Sequence, residues 1–160
     1  MKTKLIMLLL TVASITVNAQ KLNFTGNWKL NTEKSGFGKI PLRAAPKSYA
    51  IVQKDNELSL SWVTEGSDGK DATSTQRLEL NGKPASMLLS SDRTRVMIAG
   101  LSEDRKTLQL NKSYSKVGKP EEPDYELKEV WSLSADGKQL SIALTSPGYT
   151  IKTVYDRVNL

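Results

Sequence analysis

Residues 23–30 read NFTGNWKL, and residues 153–158, near the other end of the chain, read TVYDRV. Side chains alternate along an extended strand, so Phe24, Gly26, Trp28 and Leu30 share one face of the first stretch, opposite Asn23, Thr25, Asn27 and Lys29. The apolar face is the inward one: Trp28 points to the interior and Gly26 leaves room beside it. In the closing stretch Ile151, Thr153, Tyr155 and Arg157 share a face. A chain that closes on itself brings its first and last strands together and lays Arg157 over the indole of Trp28 near one end. A planar, weakly hydrated guanidinium on an indole contributes about 0.5–2 kcal/mol and seals an end that small side chains would leave open.

What lies between these two stretches supports closure. Short runs of period two recur, broken every 8–12 residues or so by Gly, Asn, Asp or Pro, and no stretch sustains a helical period. The candidate strands are 23–30, 47–54, 57–64, 73–80, 84–90, 94–100, 106–114, 125–133, 139–145 and 149–158. KDNE, LNGKP, SEDRK and SADGK supply the residues that tight reversals require. Sequential hairpins of this kind predict an all-β fold, an up-and-down antiparallel meander barrel of about 8–10 strands. LSEDRKTLQL from Leu101 and LSADGKQLSI from Leu133 resemble each other, which reads as one hairpin chemistry used twice. Two segments break the rhythm: residues 31–46, expected as a loop with at most one helical turn, and residues 115–124, a polar hairpin tip. Loops of this length tend to rim an open barrel end.

The N-terminal segment has a different character. Lys2 and Lys4 precede an apolar run that ends in Val17-Asn18-Ala19, the pattern of a signal peptide cleaved near Ala19. The expected organisation is therefore a signal peptide over residues 1–19 and one domain over residues 20–160, periplasmic or secreted. The apolar run is shorter than the roughly 20 residues a membrane-crossing helix needs, and no later stretch is apolar enough, so an integral membrane protein is not expected. With no cysteine there are no disulfides, and stability must come from burial. The net charge of +6 falls to +4 once Lys2 and Lys4 are removed, and the remaining basic residues are scattered among acids. That distribution is not the dense basic stripe that tracks phosphates, and nucleic acid is not an expected partner.

FTGNWKL resembles the Gly-X-Trp opening of lipocalins and of the related fatty-acid-binding barrels, and TVYDRV resembles their closing strand, with a basic residue set to cover that Trp. The two motifs sit at the proper ends of a chain with ten β-runs between them. The resemblance implies a lipocalin-like, secreted bacterial barrel that binds a small apolar or amphipathic molecule, and it assigns Gly26, Trp28 and Arg157 to closure of the barrel. The Thr-Asp-Tyr middle motif of lipocalins is matched only by Asp124-Tyr125. Fatty-acid-binding barrels hold a carboxylate with an arginine two residues before the final-strand tyrosine, and here that position is Thr153.

The candidate ligand-binding residues are Tyr155, Thr153, Glu129, Trp62 and Trp131. Tyr155 and Thr153 would meet a polar head inside a cavity; otherwise the tyrosine hydroxyl is satisfied by a neighbouring strand or water. Glu129 alternates with Leu127, Trp131 and Leu133. An inward carboxylate there must grip a ligand or pair with Arg157 or Lys112, unless a register slip turns it to solvent. Trp62 and Trp131 lie on apolar faces with Leu78, Leu80, Val96, Ile98, Leu108, Leu110, Leu140, Ile142 and Leu144, core residues first and cavity lining if the barrel leaves one. Without histidine or cysteine, zinc, copper and haem sites lose their usual ligands and nucleophilic catalysis its usual base, so neither an enzyme nor a cofactor is expected. Glu121, Glu122 and Asp124 have no calcium-loop spacing and read as a solvated tip. The alternative to a ligand carrier is a filled barrel serving as a protein-interaction or envelope module.

Overall fold

A computed structural model describes residues 22–159. The signal peptide expected over residues 1–19 lies outside the described residues. Ten strands follow in order: β1 (Gly26–Gly36), β2 (Ser48–Lys54), β3 (Glu57–Glu65), β4 (Asp71–Glu79), β5 (Ala85–Leu88), β6 (Arg93–Leu101), β7 (Leu108–Lys116), β8 (Tyr125–Leu133), β9 (Gln139–Ser146) and β10 (Tyr149–Val158). One 3-10 turn, Leu42–Ala44, lies between β1 and β2.

The strands form one antiparallel sheet in the order β4-β3-β2-β1-β10-β9-β8-β7-β6-β5, so the first and last strands pair and the sheet curls into a nearly closed barrel. The seam falls between β4 and β5. It is stitched at one end by an Asn81–Gly100 bridge and by the Gly82 N–H, which donates to the Ala99 carbonyl at 3.0 Å. In the β1–β10 ladder Trp28 stands directly opposite Arg157 and Leu30 opposite Tyr155.

The meander puts the two barrel ends to different uses. At the lower end Phe24, Leu58, Leu78, Leu80, Ala99, Leu108 and Leu140 are buried and fill the interior around Trp28. The two similar hairpins also lie here, and they share one hydrogen-bond pattern. The Ser102 and Ser134 hydroxyls donate to Asp104 and Asp136 at 2.7 and 2.6 Å, and each aspartate accepts the backbone N–H two residues on at 3.1 Å. The left-handed residue of each turn is Arg105 (φ 55°) in one and Gly137 (φ 66°) in the other. The likeness between the two sequences is therefore turn chemistry, as a serine–aspartate pair closes each reversal.

Two expectations need correction. The first strand runs on to Gly36 instead of ending at Leu30, with an irregular register between Asn31 and Gly36. Asn31 is held there by its side-chain amide, which donates to Asp156 at 2.6 Å, and the Ser35 hydroxyl accepts from the Val154 N–H at 2.9 Å. These side-chain bonds extend the pairing past a bulge. The second correction concerns β6: Val96 and Ile98 do not join the core, and Arg95, Met97 and Ala99 face inward instead. The segment RVMIAGL is apolar on both faces, so its neighbours in the sheet, not its own pattern, decide which face turns in.

Candidate functional site

The upper half of the barrel encloses a cavity of about 190 Å³. Its roof is Ala44, Ala45 and Pro46, at and just after the 3-10 turn. This roof is tied down on both sides. The Leu30 N–H donates to the Lys47 carbonyl at 3.0 Å, and the Lys47 N–H donates to the Val63 carbonyl at 2.7 Å, fixing the segment to β1 and β3. Residues 115–124 project at the same barrel end but do not line the cavity, whereas Tyr114 just before them does. The acids at that tip bind neighbouring cations: Asp124 meets Arg93 at 2.6 Å and Glu122 meets Lys119 at 3.2 Å.

The five ligand-binding candidates read from the sequence, Tyr155, Thr153, Glu129, Trp62 and Trp131, all line this one cavity. Alternation explains why, since each occupies an inward position on β3, β8 or β10. The three closure residues lie elsewhere. The Arg157 guanidinium sits 4.3 Å from the centre of the Trp28 ring, and Gly26 lies beside the pair, at the lower end of the barrel.

The aromatic residues pack edge to face. Tyr49 lies 5.3 Å from Trp131 and 5.1 Å from Tyr155 between ring centres, and Phe24 meets Trp131 from below at 6.1 Å. Burial pushes both the Tyr49 and Tyr155 hydroxyls well above the usual phenol range, so each is a neutral group facing the cavity. The Thr153 hydroxyl reaches the Ile142 carbonyl only at 3.5 Å, a weak bond.

Glu129 faces inward and is 4 % exposed, which settles its orientation against a turn to solvent. Its partner is Lys112, not Arg157. Lys112 Nζ donates to Oε1 at 2.5 Å, and the Trp131 indole N–H donates to Oε2 at 2.9 Å. Both carboxylate oxygens are therefore engaged, and the side chain forms a neutral buried pair that orients Trp131.

One charged lining residue escaped the sequence reading. Arg95, on β6, is 8 % exposed and holds its guanidinium carbon over the Trp62 ring, 5.0 Å from its centre. Its Nη2 lies 3.1 Å from the Met87 thioether sulfur, and its Nε has no hydrogen-bond partner. Among the described residues the other unpaired buried side-chain polar atom, Oε1 of Gln76, belongs to a residue outside the cavity lining. The missed signal was an arginine at an alternating position in an otherwise apolar strand, hidden because the opposite face looked more hydrophobic.

No family model matches the chain, and no curated protein matches it by sequence. Solved structures do resemble it in shape. A Schistosoma mansoni fatty acid binding protein in complex with arachidonic acid superposes with a TM-score of 0.57 at 14 % identity, covering 85 % of this chain and 96 % of that one. The wild-type fluorescent protein UnaG gives 0.56 at 16 % identity over 84 % and 97 %. A secretory abundant heat soluble protein from Ramazzottius varieornatus gives 0.58 at 10 % identity over 84 % and 94 %. The fold is thus the up-and-down antiparallel barrel that these structures share, as the resemblance at its two ends implied.

Proposed function

We propose that this protein is an exported carrier which binds one compact apolar or amphipathic molecule in the upper barrel. The observation that carries the reading is the 190 Å³ cavity itself, walled by Trp62, Trp131, Tyr49 and Tyr155 and carrying the polar groups of Arg95, Lys112, Glu129 and Thr153 among apolar ones. In binding sites apolar walls supply affinity and placed polar groups orient the ligand. The volume lies below the roughly 300–1,000 Å³ of drug-sized sites, so the occupant is small. Barrels of the same fold include the fatty acid binding protein in complex with arachidonic acid, which agrees with this reading by analogy of fold. Export rests on the segment ending near Ala19.

Native mass spectrometry of the mature protein, purified without denaturation, should detect a retained small molecule. Titration with compact aromatic and short-chain compounds should quench or blue-shift tryptophan emission, and Trp62→Phe should diminish the response. A chain that retains nothing and gives no spectral response to any compound is a filled module instead. The apolar side chains exposed at the roofed end, Leu42, Leu88, Leu89 and Val117, would then mark its contact surface.

A further inference from the structure

The cavity lining contains three charged side chains, Arg95, Lys112 and Glu129. Lys112 and Glu129 neutralise each other, and the second oxygen of Glu129 is occupied by the Trp131 indole. This leaves Arg95 as the uncompensated charge of the site. Among the described residues no carboxylate stands within ion-pair distance of it: the ion pairs of the barrel join other cations to other acids.

Burying a cation without a counter-charge is costly, and stacking on an indole returns only part of that cost. A chain that needed only to fill this space would place an apolar side chain at position 95, as it does at Met97 and Ala99 on the same face. The donor geometry is equally specific. The guanidinium carbon lies 5.0 Å from the centre of the Trp62 ring, and Nη2 reaches toward Met87. Nε and Nη2 share one edge of the guanidinium, the two-pronged edge that a carboxylate accepts. On that edge Nε is unpaired, and Nη2 meets only a thioether, a weak acceptor on a flexible side chain that a stronger acceptor displaces.

We propose that the occupant of the cavity is a compact monocarboxylate, its head paired with Arg95 through the Nε edge and its apolar body packed against Trp62, Met97, Leu110 and Ile142. The proposal rests on the reading that the cavity binds a ligand and adds the charge and size of that ligand. One negative charge brings the lining to neutrality. The size follows from the volume: an apolar cavity of about 150 Å³ accommodates benzene, so 190 Å³ suits a single ring or a short chain bearing a carboxylate, and a long acyl chain does not fit. The charge comes from β6, whereas the position on β10 two residues before Tyr155 is Thr153.

The test compares acids with neutral isosteres in the full mature chain. Phenylacetate and phenylacetamide, and hexanoate and hexanamide, are titrated by calorimetry and tryptophan fluorescence, with palmitate as a length control. Each acid should bind about tenfold or more tightly than its amide, as a charge-assisted pair predicts. Arg95→Gln should bring that ratio close to one, and Arg95→Lys, which keeps the charge without the fork, should give an intermediate ratio. The acid-to-amide comparison on the unaltered protein stands even if a variant fails to fold. Acids and amides that bind equally would overturn the proposal and leave the cavity reading intact. If palmitate binds more tightly than both small acids, the size assignment falls. If none of the five compounds binds, the cavity reading and this proposal fall together.

Discussion

Arg157 faces Trp28 across the β1–β10 ladder and holds its guanidinium 4.3 Å from the centre of the indole. The same guanidinium donates to the Thr25 carbonyl at 2.7 Å and to the Gly137 carbonyl at 2.8 Å, while the indole N–H donates to the Phe24 carbonyl at 3.0 Å. One exposed cation thus joins the entry to the first strand, a lower hairpin turn and the largest buried ring. Arg157→Ala should destabilise the fold by about 1–2 kcal/mol, from the lost cation–π contact and two charge-assisted bonds, reduced by solvent screening. Calorimetry should show a lower melting temperature, with affinity for any cavity ligand unchanged because Arg157 is not part of the cavity lining. Lost affinity at an unchanged melting temperature would move Arg157 into the binding site.

Gly26 is constrained by that same pair. Its φ of 152° disfavours a side chain, and a Cβ placed there would come within 2.5 Å of the Arg157 Nη1. Gly26→Ala should therefore cost about 1–3 kcal/mol, from backbone strain together with displacement of the guanidinium. In the Arg157→Ala background the steric part vanishes, so the two substitutions should be less than additive in urea unfolding.

How much of this was legible in the sequence depended on how polarised each strand is. In the first half of β1 apolar and polar residues alternate, and in β10 parity holds for Ile151 and Tyr155 although Val154 on the opposite parity is also buried, so Trp28, Tyr155 and Arg157 lie where parity puts them. Parity also turned Glu129 inward, but its partner could be chosen only in three dimensions, because Lys112 reaches it across the β7–β8 ladder and Arg157 is at the other end. In β6 the rule broke down. Val96 and Ile98 outweigh Met97 and Ala99 in hydrophobicity, so the face carrying Arg95 looked like the outer one. The extension of β1 to Gly36 was hidden for another reason, since it rests on side-chain bonds from Asn31 and Ser35 instead of an apolar pattern.

The Lys112–Glu129 pair should respond asymmetrically to substitution. Lys112→Met leaves a carboxylate facing the cavity without its cation and should cost about 3–5 kcal/mol. Glu129→Gln keeps an acceptor for the Trp131 indole but strands the ammonium, and should cost a similar amount. Replacing both, Lys112→Met with Glu129→Gln, should recover most of the loss, because no uncompensated charge remains. A double variant as unstable as the sum of the singles would mean that the pair supports the barrel through packing and not through charge.

Alkaline pH should unfold the barrel through its buried phenols. Burial raises Tyr49 and Tyr155 above their unfolded value near 10, so both states are protonated at neutral pH and neither residue then affects stability through ionisation. As pH climbs past 10 the unfolded chain releases those protons while the folded chain retains them, and stability falls with each further step. Tyr149 is pushed up to about 12, chiefly by its hydroxyl contact with Tyr125, and adds to the same trend. Absorbance at 295 nm should show Tyr49 and Tyr155 ionising only together with loss of the β-sheet circular dichroism signal. Tyr49→Phe and Tyr155→Phe should each flatten the alkaline limb of the stability profile.

The unpaired guanidinium in the cavity has a stability consequence separable from binding. Arg95 is buried, lacks a carboxylate partner and keeps one N–H unbonded, so the empty protein carries a desolvation cost that a ligand would relieve. Arg95→Met replaces the charge with a flexible apolar side chain able to pack on Trp62, exchanging a cation–π contact of about 0.5–2 kcal/mol for relief of a penalty of several. The empty variant should therefore melt higher than the unaltered protein, by about 1 kcal/mol or more of added stability. Conversely, a bound monocarboxylate should raise the melting temperature of the unaltered protein and leave that of Arg95→Met unchanged. This is the pattern of a residue retained for function at the expense of stability. An Arg95→Met protein that melts lower than the unaltered one, with no ligand present, would show instead that the guanidinium belongs to the packing of the barrel wall.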